Sequence, residues 1–471
     1  MATACAWPRS SCFRRTAMTR LSSQRLDVLG WWAWLTLIVI AALVVAIDVD
    51  RFQNPIGEKN LPPQPPGQVD FSIPYTGARA ILAGIDPYHD SEHPELIRSA
   101  LFTPENVNGQ PRLIIYAPTQ LWLYAPFAAH YGEDWEDAAR LWFRISLVAL
   151  GVLGALTWLL ARRATGDPLS PALAIVFFVI LTVNFGTELG LERGQSDNFF
   201  ACLCWCGVLF ALQGRWGLAM FATTVGTVIK GYPIVFAIGL AALALRRDTW
   251  KRALAGGIAG LLLMVAPVLP YMREGMEGVR ARRLMFFTWW LNHSFRNLMF
   301  HVFGRGLWLT RVIEVAVLAV VVICWIKARR VLRGRREEAA TWLVLFATMS
   351  LALMIGLSRT SVSYDLVLVM PGLLIIATVQ RQLGRELRFS PKWEHGFGFA
   401  FAVALILVFK FRYEGPPNSF EGFPLAGLGF LVALAVIAAA VVRAMLRGRD
   451  ELDGGERKQE LDPAIEDGAR A

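Results

Sequence analysis

Asp70 is the first residue whose type and position in the chain could support chemistry. It lies in the segment 69–75, within the one long polar interval of a chain that is otherwise rich in apolar runs. That interval extends over about residues 48–140, and a single apolar run precedes it. A carboxylate in such a place could act as a general base on a hydroxyl group. The alternative is a capping role, since Asp commonly caps helices and a helix could begin near Pro74.

Further polar residues interrupt the apolar runs that follow, and each lies at a predicted end of such a run. The predicted substrate-binding residues are Tyr75, Asp86, Tyr116, Gln195, Asn198, Lys230, Asn292, Ser294, Arg296, Tyr364 and Asp365. Polar interruptions without a function would scatter to both ends of the runs. Their convergence on one side therefore favours a shared site.

Several of these residues have a second explanation. Lys230 could contact a phosphate, or it could extend its stem so that the ammonium reaches lipid headgroups. Gln195, Asn198 and Asn292 could hydrogen-bond the hydroxyls of a ligand, or they could bridge neighbouring helices.

Asp86, the pair Tyr364-Asp365 and two histidines of the first loop also leave alternatives open. Asp86 precedes a proline and could simply shape a turn. Tyr364 and Asp365 could line a pocket, or Asp365 could pair with an arginine of an outer loop, because an unpaired carboxylate at membrane depth is costly. His89 and His93 stand four residues apart among acidic neighbours, which could ligate a metal, but a solvated loop explains them better. No metal site is predicted.

The composition indicates an integral membrane protein. Of the 471 residues 55% are hydrophobic and 18% are charged, and the mean hydropathy is +0.44. A soluble domain carries about 25% charged residues. Backbone in lipid must satisfy its own hydrogen bonds, and the apolar runs lack the alternation of a barrel strand, so they are predicted to be helices.

The net charge of +10 does not indicate a nucleic-acid partner, because no soluble basic region is present to bind one. Lys and Arg instead collect in the cytoplasmic loops of membrane proteins. Five arginines precede the first apolar run, which places the N-terminus in the cytoplasm. The chain start is open between Met1 and Met18.

These charges predict a domain organisation and a topology. Residues 1–30 form a basic cytoplasmic tail, 31–445 a transmembrane domain, and 446–471 a disordered cytoplasmic tail. Segment 113–131 contains two prolines and is predicted to be re-entrant on the outer side. About twelve spans are predicted, over residues 31–47, 141–160, 171–187, 198–212, 218–229, 233–245, 254–270, 307–326, 341–357, 366–379, 396–411 and 424–445.

One predicted outer loop, residues 271–306, departs from the charge rule because it holds six arginines. These could touch lipid phosphates at the membrane surface. They could equally form a pocket for an anionic donor, since guanidinium groups match the geometry of phosphate.

The ordered set of motifs, over about residues 69–371, resembles glycosyltransferase family 87 of the GT-C superfamily. The resemblance implies an all-α polytopic membrane protein with a large extracytoplasmic first loop. It also implies an inverting, metal-independent transfer of a sugar, mannose by preference, from a polyprenyl-phosphate donor to a glycolipid or glycan acceptor. No cofactor is implied, since the lipid-linked sugar is a substrate.

The resemblance also assigns residues. The catalytic aspartate of the family's first loop matches Asp70, and its Gly-Gln element matches Gly194-Gln195. Its Lys-x-x-Pro element begins at Lys230, and its Asn-x-Ser element begins at Asn292. Mannosyltransferases of one branch carry a histidine in the late serine-rich motif, where this chain has Tyr364-Asp365.

Two other classes of protein remain as alternatives. A lipid or polysaccharide transporter would also need buried polar groups, but it should show inverted repeats and helices interrupted at mid-membrane. A noncatalytic membrane protein would leave the Asp70 segment without a role. A polyprenyl-phosphate donor and a single-membrane topology predict the cytoplasmic membrane of a bacterium, with the active site on the extracytoplasmic face.

Overall fold

The fold was analysed in a computed structural model. The structure describes residues 69–88, 116–166, 168–184, 187, 190–191, 194–231, 233–245, 249–276, 294–296, 299, 307–334, 338–357, 363–379 and 429–443. The predicted spans at 31–47 and 396–411, both tails and the paired histidines His89 and His93 lie outside these residues.

Helices dominate the described residues, which contain no strand. In chain order the α-helices are α1 (Val69–Leu82), α2 (Pro118–Tyr131), α3 (Trp135–Thr165), α4 (Ala172–Thr182), α5 (Asp197–Leu212), α6 (Trp216–Lys230), α7 (Ile234–Ala244), α8 (Trp250–Val265), α9 (Leu307–Gly334), α10 (Ala339–Leu357), α11 (Met370–Thr378) and α12 (Gly429–Arg443). The 3₁₀ segment Ala266–Tyr271 follows α8, and the 3₁₀ segment Ser363–Leu368 precedes α11.

Four of the described helices are long and apolar enough to cross a membrane: Trp135–Thr165, Trp250–Met276, Trp308–Leu332 and Ala339–Leu357. The prediction of about twelve spans is therefore not confirmed. Helices α4 and α7 have 11 residues each. They reach about 16 Å, against a hydrocarbon core of about 30 Å. Apolar composition alone does not separate a short buried helix from a span.

The main apolar core contains residues from every helix from α3 to α12, and α10 lies at its centre. The most apolar stretch of α10 is 89% buried, while the corresponding stretches of α8 and α9 are 22% and 28% buried. A helix that is apolar on all sides is expected in the interior. The outer faces of α8 and α9 carry exposed leucines and valines, an apolar surface of the kind that suits contact with lipid.

Helix α3 connects the two ends of the bundle. The Asp134 side chain accepts a hydrogen bond from Asp137 N–H at its start, and Gly166 closes it in the left-handed conformation with φ 69°. Such a glycine ends a helix at little steric cost. With 31 residues, α3 is about 46 Å long and spans the whole bundle.

Tryptophan–cation pairs gather at one end of the bundle, which we call the basic end. The cation stands 5.2–5.9 Å from the ring centroid in the pairs Arg162/Trp158, Lys251/Trp250, Lys327/Trp342 and Arg329/Trp325. The end of α3 meets the start of α10 there, since the Thr341 hydroxyl donates to the Ala164 carbonyl at 3.4 Å. Basic and aromatic residues at helix ends are typical of a membrane interface.

Candidate active site

A buried ion cluster lies at the opposite end of the bundle. The Lys230 ammonium stands 2.8 Å from both carboxylate oxygens of Asp197 and 3.0 Å from Oδ1 of Asp365. The three side chains are 7%, 3% and 1% exposed. The ammonium thus offers its three protons to three carboxylate oxygens. We call these residues the ion cluster.

Two members of the ion cluster lie at helix ends, and the third lies in a short 3₁₀ segment. Asp197 begins α5, where the helix dipole favours a negative charge, and Lys230 ends α6, where it favours a positive one. Gly231, with φ 76°, then reverses the chain. Asp365 lies in the 3₁₀ segment, which is held on α5 because Trp205 Nε1 donates to Leu368 O at 2.8 Å. Three segments that are far apart in sequence therefore meet at one charged point.

The ion cluster corrects one alternative for these residues. Lys230 does not extend toward lipid headgroups, because its side chain is buried between two carboxylates. Asp365 has Lys230 as an ion partner, and its pairing with an arginine of the loop 271–306 stays a prediction. A buried carboxylate is strongly stabilised by the nearest available cation, and the fold supplies that cation from α6.

The Gly194-Gln195 element forms a turn directly before Asp197. Gly194 has φ 67°, which favours glycine, and Gln195 N–H donates to Gly190 O at 2.9 Å. The Gly194 carbonyl accepts two hydrogen bonds, from the Tyr124 hydroxyl at 3.1 Å and from Trp142 Nε1 at 3.0 Å. Two aromatic side chains therefore fix this turn from α2 and α3.

Helix α2 links the turn to the end of α6. The Thr119 hydroxyl donates to Val228 O at 2.7 Å, and the Gln120 amide donates to the Ser196 hydroxyl at 3.3 Å. The Gln195 amide donates to the Tyr116 hydroxyl at 3.4 Å. The structure thus brings the predicted residues Tyr116 and Gln195 together, beside the ion cluster.

Asp70 lies in the first turn of α1, so the predicted helix start near Pro74 is wrong: α1 begins at Val69 and continues through this proline. The neighbouring Phe71 is fully buried and packs against Tyr124 and Trp142, at ring separations of 5.4 and 6.0 Å. These are the two side chains that hold the Gly194 carbonyl. A layer of aromatic side chains therefore connects the start of α1 to the Gly194-Gln195 turn.

Two other predicted residues of the first loop have clear local partners. The Tyr75 hydroxyl donates to Gly132 O at 3.0 Å, and burial raises the pKa of this phenol to about 12, so it remains a donor. Asp86 Oδ1 accepts a hydrogen bond from Tyr88 N–H at 2.9 Å, which is the contact expected of a turn. Binding of a substrate by either residue stays a prediction.

The structure also gives the burial of three further predicted residues, Ser294, Arg296 and Asn198. Ser294 is buried and Arg296 is half-buried, next to Phe295, whose ring packs against Gly356 at the end of α10. This is the end of the bundle that holds the ion cluster. Asn198 follows Asp197 and is 3% exposed. Tyr364 lies in the 3₁₀ segment beside Asp365, and Asn292 lies outside the described residues.

Sequence reasoning missed Asp197 as a site residue. The signal was available, since Asp197 follows the Gly-Gln element at a helix start. However, Lys230 lies 33 residues after Asp197, and Asp365 lies a further 135 residues along the chain. Nothing local in the sequence reveals such a pairing. Among the described residues no group of three or more His, Cys, Asp or Glu side chains is placed to hold a metal ion.

Comparison with known proteins identifies the family. The model of glycosyltransferase family 87 matches residues 114–356, slightly more than half of the chain. The match contains Lys230, Asp197 and the Gly194-Gln195 turn, while Asp70 and Asp365 lie beyond its two ends. No curated protein and no solved structure matches the chain significantly. With its apolar helices and this family match, the chain belongs to glycosyltransferase family 87 and is a membrane enzyme that transfers sugars.

Proposed function

We propose that the enzyme moves a hexose, mannose by preference, from a polyprenyl-phosphate donor to a glycolipid or glycan acceptor on the extracytoplasmic face of a bacterial cytoplasmic membrane. The single observation that carries the proposal is the meeting of four motif segments at one end of the bundle. Tyr116, the Gly194-Gln195 turn, Lys230 and Asp365 all contribute to one joint. A site at a helix joint near the membrane surface suits a substrate with a lipid tail and a polar head.

The proposed chemistry assigns the general base to Asp70. The acceptor hydroxyl attacks the anomeric carbon, its proton passes to the Asp70 carboxylate, and the bond from that carbon to the phosphate oxygen breaks. Polyprenyl phosphate leaves with the bonding electrons and needs no acid. One carboxylate opposite the leaving group is enough for such an inversion.

The packing around α1 supports this assignment. Phe71, the next residue after Asp70, is locked between α2 and α3 on the two aromatic side chains that hold Gly194. A base has to be held within a fraction of an ångström of its working position. The rigid aromatic layer gives the start of α1 such support.

The ion cluster supports a different role for Lys230 from direct phosphate binding. Its three protons already face three carboxylate oxygens, so a phosphate would have to displace a carboxylate. Lys230 then acts as a positioning residue that joins α5, α6 and the 3₁₀ segment. The arginines of loop 271–306 remain as the cations that neutralise the leaving phosphate.

The test uses membranes that contain the full chain and a radiolabelled polyprenyl-phosphate mannose. Asp70→Asn should reduce the transfer rate by about 10²–10⁴-fold, the usual contribution of a general base. Protein content in the membrane should be unchanged. Asp137→Asn is the matched control, because this carboxylate is exposed near the start of α3 and pairs with Arg140.

Full activity in the Asp70→Asn membranes would remove Asp70 as the base. A lower protein content with normal activity per molecule would indicate a structural role instead. Transfer from polyprenyl-phosphate glucose but not from the mannose donor would keep the enzyme class and correct the sugar.

A further inference from the structure

A groove between α6 and α8 lies at the basic end of the bundle, away from the candidate active site. It has a volume of about 580 Å³ and is lined by Gly214, Arg215, Trp216, Gly217, Leu218, Phe221, Arg252, Ala255 and Gly256. Lys230 is at the other end of α6, whose 15 residues place it about 20 Å away. The groove is therefore a separate feature of the fold.

The mouth of the groove is strongly cationic. Arg215 and Arg252 are both exposed, and no carboxylate is among the lining residues. Within the described part of the chain, neither guanidinium has an ion-pair partner. Two free guanidinium groups on either side of one groove match an anionic ligand, and phosphate in particular.

The body of the groove is lined by apolar residues. Leu218 is 48% exposed and forms part of one wall. Further along α8, Ile258 and Leu262 are also exposed, and helical spacing places them next to the face that carries Ala255. Such a surface suits acyl chains, whereas a water-soluble ligand would leave it uncovered.

Close packing of the two helices gives the groove a rigid floor. A Cβ atom added to Gly256 would stand 2.0 Å from the Gly217 carbonyl oxygen, so the backbones of α6 and α8 touch at this point. Trp216 is 5% exposed and closes the groove on the side of the core. The floor of the groove is thus formed by closely packed backbone and a buried ring.

From these observations we infer that the groove binds an anionic phospholipid, with its phosphate between Arg215 and Arg252 and its acyl chains along α8. The basic end carries the tryptophan–cation pairs of a membrane interface, and anionic headgroups are held near such surfaces by clustered Lys and Arg. The inference does not depend on the sugar, the donor or the base proposed above.

The experiment is native mass spectrometry of the purified full chain in detergent, titrated with phosphatidylglycerol or with phosphatidylcholine of the same acyl chains. The wild-type protein should retain phosphatidylglycerol in preference to phosphatidylcholine. The double variant Arg215→Gln/Arg252→Gln should bind phosphatidylglycerol about tenfold to thirtyfold more weakly. Its binding of phosphatidylcholine should be unchanged.

The matched control is Arg162→Gln/Arg163→Gln, which removes two exposed charges from the same end but outside the groove. An equal loss of phosphatidylglycerol in this control would show a general surface effect and overturn the assignment. Equal binding of the two lipids by the wild-type protein would also overturn it. Displacement of phosphatidylglycerol by millimolar inorganic phosphate would identify the groove as a site for a soluble anion instead.

Discussion

At the scale of single residues, the ion cluster shows how a membrane protein keeps charges in its interior. Two carboxylates and one ammonium are removed from water at the joint of α5, α6 and the 3₁₀ segment. The attraction within such a cluster offsets the desolvation of its members, but loss of one partner leaves an uncompensated charge. The three residues are therefore expected to depend on one another.

Replacement of Lys230 by Met should destabilise the protein by about 3–5 kcal/mol, because two buried carboxylates would then lose the ammonium that lies between them. The triple variant Lys230→Met/Asp197→Asn/Asp365→Asn should recover part of that loss, since it removes the charges together. Thermal unfolding of the purified protein in one detergent measures both changes.

Lys251→Met serves as the control for the chemical change alone. Lys251 is exposed on α8, so its replacement should change the free energy of unfolding by no more than about 0.5 kcal/mol. A triple variant as unstable as Lys230→Met would show that the loss comes from packing around the Lys230 stem and not from the unpaired carboxylates.

At the scale of helices, small residues decide how closely α6 and α8 approach. Gly217 faces Gly256, and Phe221 faces Gly260, so the two helices run in the same direction along their contact. Association of helices in lipid relies on such close packing, because lipid chains are as apolar as leucine. The α6–α8 pair thereby holds Lys230 at one end and the groove at the other.

Gly256→Ala should lower the melting temperature, since its Cβ would meet the Gly217 carbonyl oxygen at 2.0 Å and force the helices apart. Overpacking of this kind costs about 1–3 kcal/mol. The neighbouring Gly257→Ala is the control, because its Cβ would meet only the Thr224 hydroxyl at 3.6 Å, an ordinary contact. It should leave stability unchanged or raise it, because Ala favours a helix over Gly by about 1 kcal/mol.

The two variants should also differ in the lipid titration, since only Gly256 lines the groove. Equal melting temperatures for both would contradict the close contact between α6 and α8. The comparison needs no assumption about the catalytic reaction.

Sequence patterns predicted the extent of some helices correctly and overestimated the length of others. The predicted spans 141–160 and 341–357 fall within α3 and α10, because long apolar runs with clear polar ends leave little choice. The runs at 171–187 and 233–245 also formed helices, but these stop after 11 residues. Each of them buries one apolar face, in α4 against α3 and in α7 against α10, while Val176 and Ile238 stay exposed.

The residues of the candidate site were also predicted only in part from the sequence. The sequence indicated that Gln195, Lys230 and Asp365 belong together, and the structure places all three at one joint. It could not indicate that Asp197 is the residue that holds Lys230, because this contact depends on how α5 and α6 pack. The assignment of Asp70 stays a prediction, supported by the position of α1.

At the scale of the whole molecule, the separation of charges defines two ends. The basic end carries the tryptophan–cation pairs and the groove, and the other end carries the ion cluster and the start of α1. A charge bias of this kind orients membrane proteins with the basic end in the cytoplasm. The charge bias therefore predicts that the candidate active site faces the extracytoplasmic side.

Helix α3 offers a direct test of this orientation, because it connects the two ends. Glu133, just before α3, has a side chain that is 93% exposed, and Arg163 is exposed near its other end. In intact bacterial cells, a membrane-impermeant maleimide should label Glu133→Cys but not Arg163→Cys, and Arg163→Cys should react only after permeabilisation. The parent chain, with its own cysteines, gives the background for both. The reverse pattern would place the ion cluster and Asp70 in the cytoplasm, and the enzyme would then need a donor from that side of the membrane.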